Sequence, residues 1–196
     1  MDLHIYPLKV TYQFFKNYVY FIIDEKTKKT AVIDPVGELS LIYDYLQHKG
    51  LSLSSILITH SHHDHIHLAD PLARETGCPV YMSAIEIDVY GFDCYQLVPL
   101  QETDRIPLGS TVITPIHTPG HTKGSFCYTA GNNIFTGDTL FIEGCGLCWG
   151  KGADPSEMYD TLCRLKTLIP LDMRVFPAHK YLEEPGITFK AVLNYN

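Results

Sequence analysis

Five histidines lie within eight residues of this chain, directly after a continuous apolar run at residues 55–58. The run has the pattern of a strand buried on both faces, and the histidines follow as Thr59-His60-Ser61-His62-His63-Asp64-His65. Because alternate side chains of an extended backbone point to the same side, His60 and His62 can bind one metal ion together. Asp64 and His65 follow as the chain turns and can reach a second position nearby. The segment therefore predicts a metal site, since imidazole and carboxylate suit zinc, iron or manganese.

Three later segments carry further ligand-type residues at the ends of predicted strands or turns. His121 lies in a Pro-Gly turn, Asp138 follows Gly137, and His179 follows the predicted strand 174–177. Each segment alone is weak evidence for a metal site. With the first cluster they supply five histidines and two carboxylates, enough for two metal ions that share a bridging ligand. His63 and His67 fall out of phase with the ligand residues, so we predict supporting or surface roles for them.

The rest of the chain alternates short strands with amphipathic helices, without a linker or a low-complexity stretch. We expect a single domain over residues 1–196 because the chain has material for one sizeable core. Predicted strands are 17–23, 30–33, 55–58, 79–82, 111–116, 125–129, 132–136 and 174–177. Predicted helices are 38–49, 68–75 and 155–168, the last capped by Asp154 with proline at its first position.

Composition excludes several classes of function. A net charge of −7 argues against a general nucleic-acid binder, which needs a basic face to neutralise phosphates. No apolar run approaches the roughly 20 residues of a membrane span, and the start does not resemble a signal peptide. We therefore expect a cytosolic protein with reduced cysteines and no membrane association. Cys145 and Cys148 form a C-x-x-C in a glycine-rich stretch, which favours two loop thiols over a zinc or redox motif.

These residues resemble those of the metallo-β-lactamase superfamily and, within it, of the glyoxalase II-like branch. The T-H-x-H-x-D-H motif is complete at residues 59–65, and the later motifs follow in the family's order. The resemblance implies an α/β fold, a four-layer αββα sandwich, with two divalent metal ions, zinc or alternatively iron or manganese. It implies one metal ion held by His60, His62 and His121. The other would be held by Asp64, His65 and His179, with Asp138 bridging both. Asp34 matches a family position near the metal loop, where it would orient a ligand; the alternative is a plain cap that ends a strand.

The loop after Asp138 points to the substrate. Residues 140–146 resemble the corresponding stretch of glyoxalase II-type thioesterases, which favours thioester hydrolysis with Asp64 orienting or deprotonating the water. Glyoxalase II places a basic residue directly after Gly-Cys-Gly, whereas Leu147 occupies that position here. The loop instead resembles that of acyl-carrier-protein hydrolases of polyketide synthase clusters (the PksB/BaeB type), whose substrate is an acyl chain on a phosphopantetheine arm. We therefore expect an acyl-carrier protein or a small acyl thioester as partner, contacted by Leu147, Trp149 and Tyr181.

Three other functions remain open at this stage. The same ligand set serves hydroxyacylglutathione hydrolases, which act on small soluble thioesters, and persulfide dioxygenases with one iron. A metal-storing or regulatory module without catalysis is the third alternative, although binding alone does not require a bridging Asp138.

Overall fold

The computed structural model describes residues 3–196 as two six-stranded sheets. The first sheet runs in the order β1 (Leu3–Tyr12), β2 (Phe15–Asp24), β3 (Lys29–Ile33), β4 (Ser52–Leu57), β5 (Val80–Ser83) and β6 (Leu97–Leu100). The second runs from β7 (Ile106–Leu108) through β8 (Thr111–His117), β9 (Phe126–Ala130), β10 (Asn133–Gly137) and β11 (Arg174–Pro177) to β12 (Ile187–Thr188). The helices are α1 (Leu39–Lys49), α2 (His63–Ile66), α3 (Ala69–Thr76), α4 (Ala84–Tyr90), α5 (Pro155–Leu168) and α6 (Phe189–Val192). None of them is long and apolar enough to cross a membrane.

Three apolar clusters hold these elements in four layers. Tyr20, Tyr128 and Phe135 belong to the cluster between the two sheets. Ile42 of α1 joins the cluster on the outer face of the first sheet, and Leu165 of α5 joins the cluster on the outer face of the second. Each such fully buried side chain stabilises the fold by about 1.5–3 kcal/mol. The expected αββα sandwich is confirmed.

Strand direction places the chain's polar turns at one edge of the sandwich. β3, β4 and β5 are parallel, and β10 is parallel to β11 in the other sheet. The carboxyl ends of parallel strands lie at a common edge, and their loops are held there by a rigid sheet. β4 leads into Thr59, β10 into Asp138 and β11 into His179. The predicted ligand residues therefore leave both sheets at the same edge.

The bounds of two helices, α1 and α5, were predicted from the residues at their ends. α5 begins at Pro155, and the Asp154 side chain accepts the N–H groups of Ser156 and Glu157, as expected. α1 ends at Lys49, before Gly50 in the left-handed region. The fourth strand begins three residues earlier than predicted, at Ser52.

Several elements carry too weak a sequence pattern to be predicted. β1 has no clean apolar alternation and is largely half-buried, because it forms the edge of its sheet against β2. α4 is short and holds β-branched residues, yet its first turn is capped by Ser83 Oγ, which accepts the N–H of Glu86 at 3.4 Å. β6, β7, β12, α2 and α6 have two to four residues each, too few for a periodic pattern.

Candidate metal centre

Three imidazoles form the first group of possible ligands. His60 and His62 leave β4, and His121 comes from the turn after β8. His60 Nε2 lies 3.0 Å from His62 Nδ1, and His121 Nε2 lies 2.9 Å from the same atom. His60 Nδ1–H donates to Thr59 Oγ1 at 3.1 Å, which leaves its Nε2 lone pair free to face the group. These three residues could hold one metal ion.

A second group lies beside the first. Asp64 Oδ2 is 3.7 Å from His65 Nε2 and 3.5 Å from His179 Nε2. The other ring nitrogen of each histidine donates outward, because His65 Nδ1 meets Asp34 Oδ2 at 2.9 Å and His179 Nδ1 meets the Lys16 carbonyl at 3.1 Å. Both Nε2 atoms therefore turn their lone pairs toward Asp64, and the three residues could hold a second metal ion.

The Asp138 carboxylate lies between the two groups. Its Oδ2 is 3.6 Å from His121 Nε2 in the first group. Its Oδ1 is 3.5 Å from His65 Nε2 and 3.4 Å from His179 Nε2 in the second. The seven side chains that the sequence predicts as ligands are thus brought together, with the one predicted to bridge in the middle.

The donor chemistry fits metal ions. His65 Nε2 and Asp138 Oδ1 are buried and have no hydrogen-bond partner among the described residues. An unsatisfied buried polar atom costs about 1–3 kcal/mol, so such atoms are rare without a function. Within each group the candidate ligand atoms lie within 4.8 Å of one another. Lone pairs that converge in this way are satisfied by a cation.

Electrostatics separate the two groups. Burial lowers the pKa of His62 to about 4, assisted by the neighbouring imidazole of His121. Burial also lowers the pKa of His60 well below its usual value. At His65, burial acts in the same direction, but the carboxylates of Asp138 and Asp34 outweigh it and raise the pKa to about 9. His60 and His62 therefore offer neutral nitrogens, whereas the carboxylates around His65 favour a positive charge there, carried by a proton or by a metal ion.

Buried hydrogen bonds orient the second group. Asp34 accepts the Thr59 N–H at 2.8 Å and the Thr59 hydroxyl at 2.7 Å, in addition to its contact with His65. Asn17 Nδ2 donates to the Asp64 carbonyl and to Asp64 Oδ2, both at 3.0 Å. Sequence reasoning did not find Asn17, since it lies within a strand and carries no ligand signature.

Glu86 is a second residue that sequence reasoning missed. It is fully buried, and its carboxylate accepts four hydrogen bonds. Ser61 donates its N–H at 2.8 Å and its hydroxyl at 2.7 Å, and from the His121 turn come the Thr122 hydroxyl at 2.8 Å and the Gly124 N–H at 3.0 Å. Ser83-x-x-Glu86 matches a capping-box pattern, which was the available signal.

The metal groups open into a cleft of about 610 Å³. Leu147, Trp149 and Tyr181 line it, and their exposed fractions are 73%, 78% and 62%. The loop 144–152 is tied to two ligand residues: His121 Nδ1–H donates to the Leu147 carbonyl at 2.6 Å, and the Gly146 N–H donates to the Asp138 carbonyl at 2.9 Å. Cys145 and Cys148 lie in this loop as free thiols.

His63 and His67 stay outside both metal groups. His63 Nδ1 lies 2.8 Å from the hydroxyl of Tyr12, whose ring packs against His63 and His67. His63 is exposed and lines the cleft, whereas His67 is half-buried against Tyr12.

Comparison with known proteins agrees with this geometry. Residues 13–179 match the profile of the metallo-beta-lactamase superfamily. A protein of Bacillus velezensis named as a probable polyketide biosynthesis zinc-dependent hydrolase, BaeB, is 40% identical over 98% of this chain and 85% of its own length. A hydroxyacylglutathione hydrolase of Pseudomonas fluorescens is 37% identical over 87% of this chain, which spans 64% of that enzyme. Among solved structures, ETHE1 from Myxococcus xanthus superposes with a TM-score of 0.83 at 29% identity, over 97% of this chain and 83% of its own.

Proposed function

Because the chain belongs to the metallo-beta-lactamase superfamily, we propose that it is a zinc-dependent thioester hydrolase acting on acyl groups carried by a phosphopantetheine arm. One observation carries the proposal: two adjacent groups of ligand-type side chains share Asp138 and open into a cleft with apolar side chains on its wall. The relative named as a polyketide biosynthesis hydrolase matches nearly the whole chain. The natural partner would be a carrier protein in the cytosol.

The ligand residues have distinct tasks in this proposal. His60, His62 and His121 would hold one zinc ion, and Asp64, His65 and His179 the other, with Asp138 contacting both. Bound zinc would supply Lewis acidity that activates water near neutral pH and polarises the thioester carbonyl.

Asp64 is proposed to guide the proton of the attacking water. Asn17 donates to Asp64 Oδ2 and so fixes the plane of the carboxylate. A carboxylate held in this way can accept a proton only from a defined direction, which is the geometric requirement for a general base.

The cleft wall is proposed to select the substrate. Leu147 and Trp149 are large, exposed and uncharged, and they lie beside the metal groups. They offer apolar contact to an acyl chain or a pantetheine arm, and neither offers a charged partner to the carboxylates of a charged tripeptide. Tyr181 completes this wall beside Phe141, at a ring distance of 5.3 Å.

Hydrolysis of glutathione thioesters is the second candidate, favoured by the 37% identity to the hydroxyacylglutathione hydrolase. S-acyl pantetheine, acyl-carrier protein and S-acylglutathione should be compared with the zinc-loaded protein. We expect the pantetheine-linked substrates to have the higher kcat/KM. A far higher value for S-acylglutathione contradicts the proposed substrate class. Iron in place of zinc, together with oxygen uptake in the presence of a persulfide, would instead support a dioxygenase.

Asp64→Asn tests the proposed reaction itself. We expect hydrolysis to fall by about 10²–10⁴-fold, the range for loss of a general base, in protein that retains its zinc; a parallel loss of zinc would assign the effect to Asp64 as a ligand. Far-ultraviolet circular dichroism and zinc content should be measured on the same preparation. Asp160→Asn, on the exposed side of α5, is the control. Near-normal activity of Asp64→Asn would remove Asp64 from the mechanism.

A further inference from the structure

A second groove, of about 350 Å³, opens beside the metal cleft. Lys9, Lys16 and Lys180 line it, and the last two also line the metal cleft, so the two spaces are adjacent. The chain as a whole is acidic, with 22 acidic against 15 basic residues. The three lysines therefore make this groove locally positive, although the chain as a whole is negatively charged.

The hairpin β1–β2 and the segment after β11 position these lysines. Lys9 pairs with Tyr18 and Thr11 with Lys16 across the hairpin, which places all four on one face of it. The backbone of Lys16 is fixed to the metal centre, because its carbonyl accepts the Nδ1–H of His179. Lys180 directly follows His179 in the chain. The groove therefore lies next to His179 of the second metal group.

Donors in this groove converge on a single anion. The Glu184 carboxylate accepts from Lys9 Nζ at 2.7 Å, from the Tyr18 hydroxyl at 2.7 Å and from Lys180 Nζ. These hydrogen bonds lower the pKa of Glu184 to about 2. Lys16 has no carboxylate partner within residues 3–196. Three lysines against one carboxylate leave two positive charges for a further anion.

Resting on the thioesterase function proposed above, we infer that this groove binds the phosphate of the pantetheine arm while the thioester lies in the metal cleft. Lys16 and Lys180 would meet the phosphate first, since both line the metal cleft as well as this groove. Glu184 would compete with the phosphate for Lys9, Tyr18 and Lys180, whereas Lys16 would meet the phosphate without a competing carboxylate. A phosphate ester ends the pantetheine arm both on a carrier protein, where it is a phosphodiester to serine, and in coenzyme A, where it is part of a pyrophosphate.

Two substrates that differ only in this phosphate test the inference. S-butyryl phosphopantetheine and S-butyryl pantetheine should be compared as a ratio of kcat/KM. We expect the wild-type protein to favour the phosphorylated substrate by about five- to tenfold at low salt, as for one or two exposed charge-assisted contacts. The ratio should decrease toward one as the ionic strength rises.

Variants should move this ratio in opposite directions. Lys16→Met and Lys180→Met each remove a donor, so the ratio should decrease several-fold. Glu184→Gln removes the competing anion, so the ratio should increase. Lys49→Met is the matched control, since Lys49 ends α1 at the opposite edge of the first sheet and should leave the ratio unchanged.

The outcomes separate this site from the hydrolase function. If wild-type protein cleaves both substrates equally well, or if the lysine variants leave the ratio of kcat/KM unchanged, the proposed phosphate site is wrong. The proposed hydrolase function is unaffected by either result. If zinc-loaded protein cleaves neither substrate, the hydrolase proposal is wrong, and the phosphate site that rests on it is wrong with it. Should a lysine variant not fold, free phosphopantetheine must inhibit wild-type cleavage of S-butyryl pantetheine more strongly than free pantetheine does; equal inhibition overturns the site.

Carrier-linked and soluble substrates identify the source of the phosphate. The lysine variants should affect butyryl-coenzyme A and butyryl-carrier protein alike if the phosphate itself is bound. An effect confined to the carrier protein would mean that the lysines contact the carrier's surface, and it would overturn the phosphate site.

Discussion

At the scale of single residues, Glu86 joins two loops that are far apart in the chain. Its carboxylate accepts from Ser61, between His60 and His62, and from Thr122 and Gly124, next to His121. A Cβ atom on Gly124 would lie 2.2 Å from the Glu86 backbone nitrogen, so this approach requires glycine. Glu86 therefore fixes the spacing of the first metal group without facing it.

Replacing Glu86 should weaken the first metal group selectively. Glu86→Ala leaves buried donors of both loops unsatisfied, and loss of such outer support typically reduces metal affinity by about 10–100-fold. Glu86→Gln keeps one carbonyl acceptor and should recover part of that affinity. Zinc stoichiometry and affinity, measured by chelator competition, are the readouts.

Glu75→Ala, on the exposed face of α3, serves as the control for Glu86. Full zinc content with unchanged affinity in a folded Glu86→Ala protein would show that the two loops hold their positions without the carboxylate.

At the scale of elements, the loop 144–152 performs two tasks through different atoms. Its backbone contacts the ligand residues, since the Leu147 carbonyl accepts from His121 and the Gly146 N–H donates to Asp138. Its side chains Leu147 and Trp149 face the cleft. Metal binding and substrate contact are therefore separable by mutation within this loop.

Gly146→Ala and Leu147→Ala should have contrasting effects. A Cβ atom on Gly146 would lie 2.2 Å from the Asp138 carbonyl oxygen and 2.9 Å from His121 Nδ1, so the loop must shift and zinc content should decrease. Leu147→Ala keeps the backbone carbonyl and should retain zinc, while kcat/KM for S-acyl pantetheine decreases. Elemental analysis and kinetics on the same preparations measure the contrast. Equal zinc content in both variants would refute the role given to the Gly146 backbone.

At the scale of the whole molecule, the two sheets are joined at both ends of their strands. The metal groups join them at one end, and Asp24 joins them at the other. Asp24 ends β2 in the first sheet, and its Oδ2 accepts the Ser110 hydroxyl at 2.6 Å from the turn between β7 and β8. Its Oδ1 accepts the N–H of Thr27 at 2.9 Å. The hydrogen bonds from Ser110, followed by that from Thr27, hold the pKa of Asp24 well below its usual value.

The stability of the metal-free protein should therefore fall in acid partly through Asp24. An unfolded aspartate has a pKa of about 3.9, so below about pH 4 the unfolded chain binds the proton more readily than the folded one. The contribution is complete above that pH and is lost as the pH falls through the folded-state pKa.

Asp24→Asn should be less stable at pH 7, and its free energy of unfolding should depend less on pH below 4. Denaturant titrations with a chelator present measure this without interference from metal release. Asp160→Asn should follow the wild-type curve, and an Asp24→Asn curve parallel to wild type in acid would contradict the prediction.

Properties that depend on residues close together in the chain could be predicted from the sequence. His60 and His62 share a side because they are two residues apart in extended backbone, and α5 begins where Asp154 and Pro155 dictate. The same reasoning predicted His121, Asp138 and His179 as ligand-type residues after strands or turns. Each of these properties depends on neighbours a few residues away.

Only the tertiary structure decided which of these residues meet and what supports them. His179 reaches Asp64 because β11 of the second sheet ends at the same edge as β4 of the first. Asn17, Glu86 and the lysine groove were not found because their partners lie tens of residues away, and sheet order and facing determine those contacts. The sequence alone therefore determined the candidate ligands and their local geometry, whereas the packing of the two sheets determined the centre, its supporting hydrogen bonds and the groove beside it.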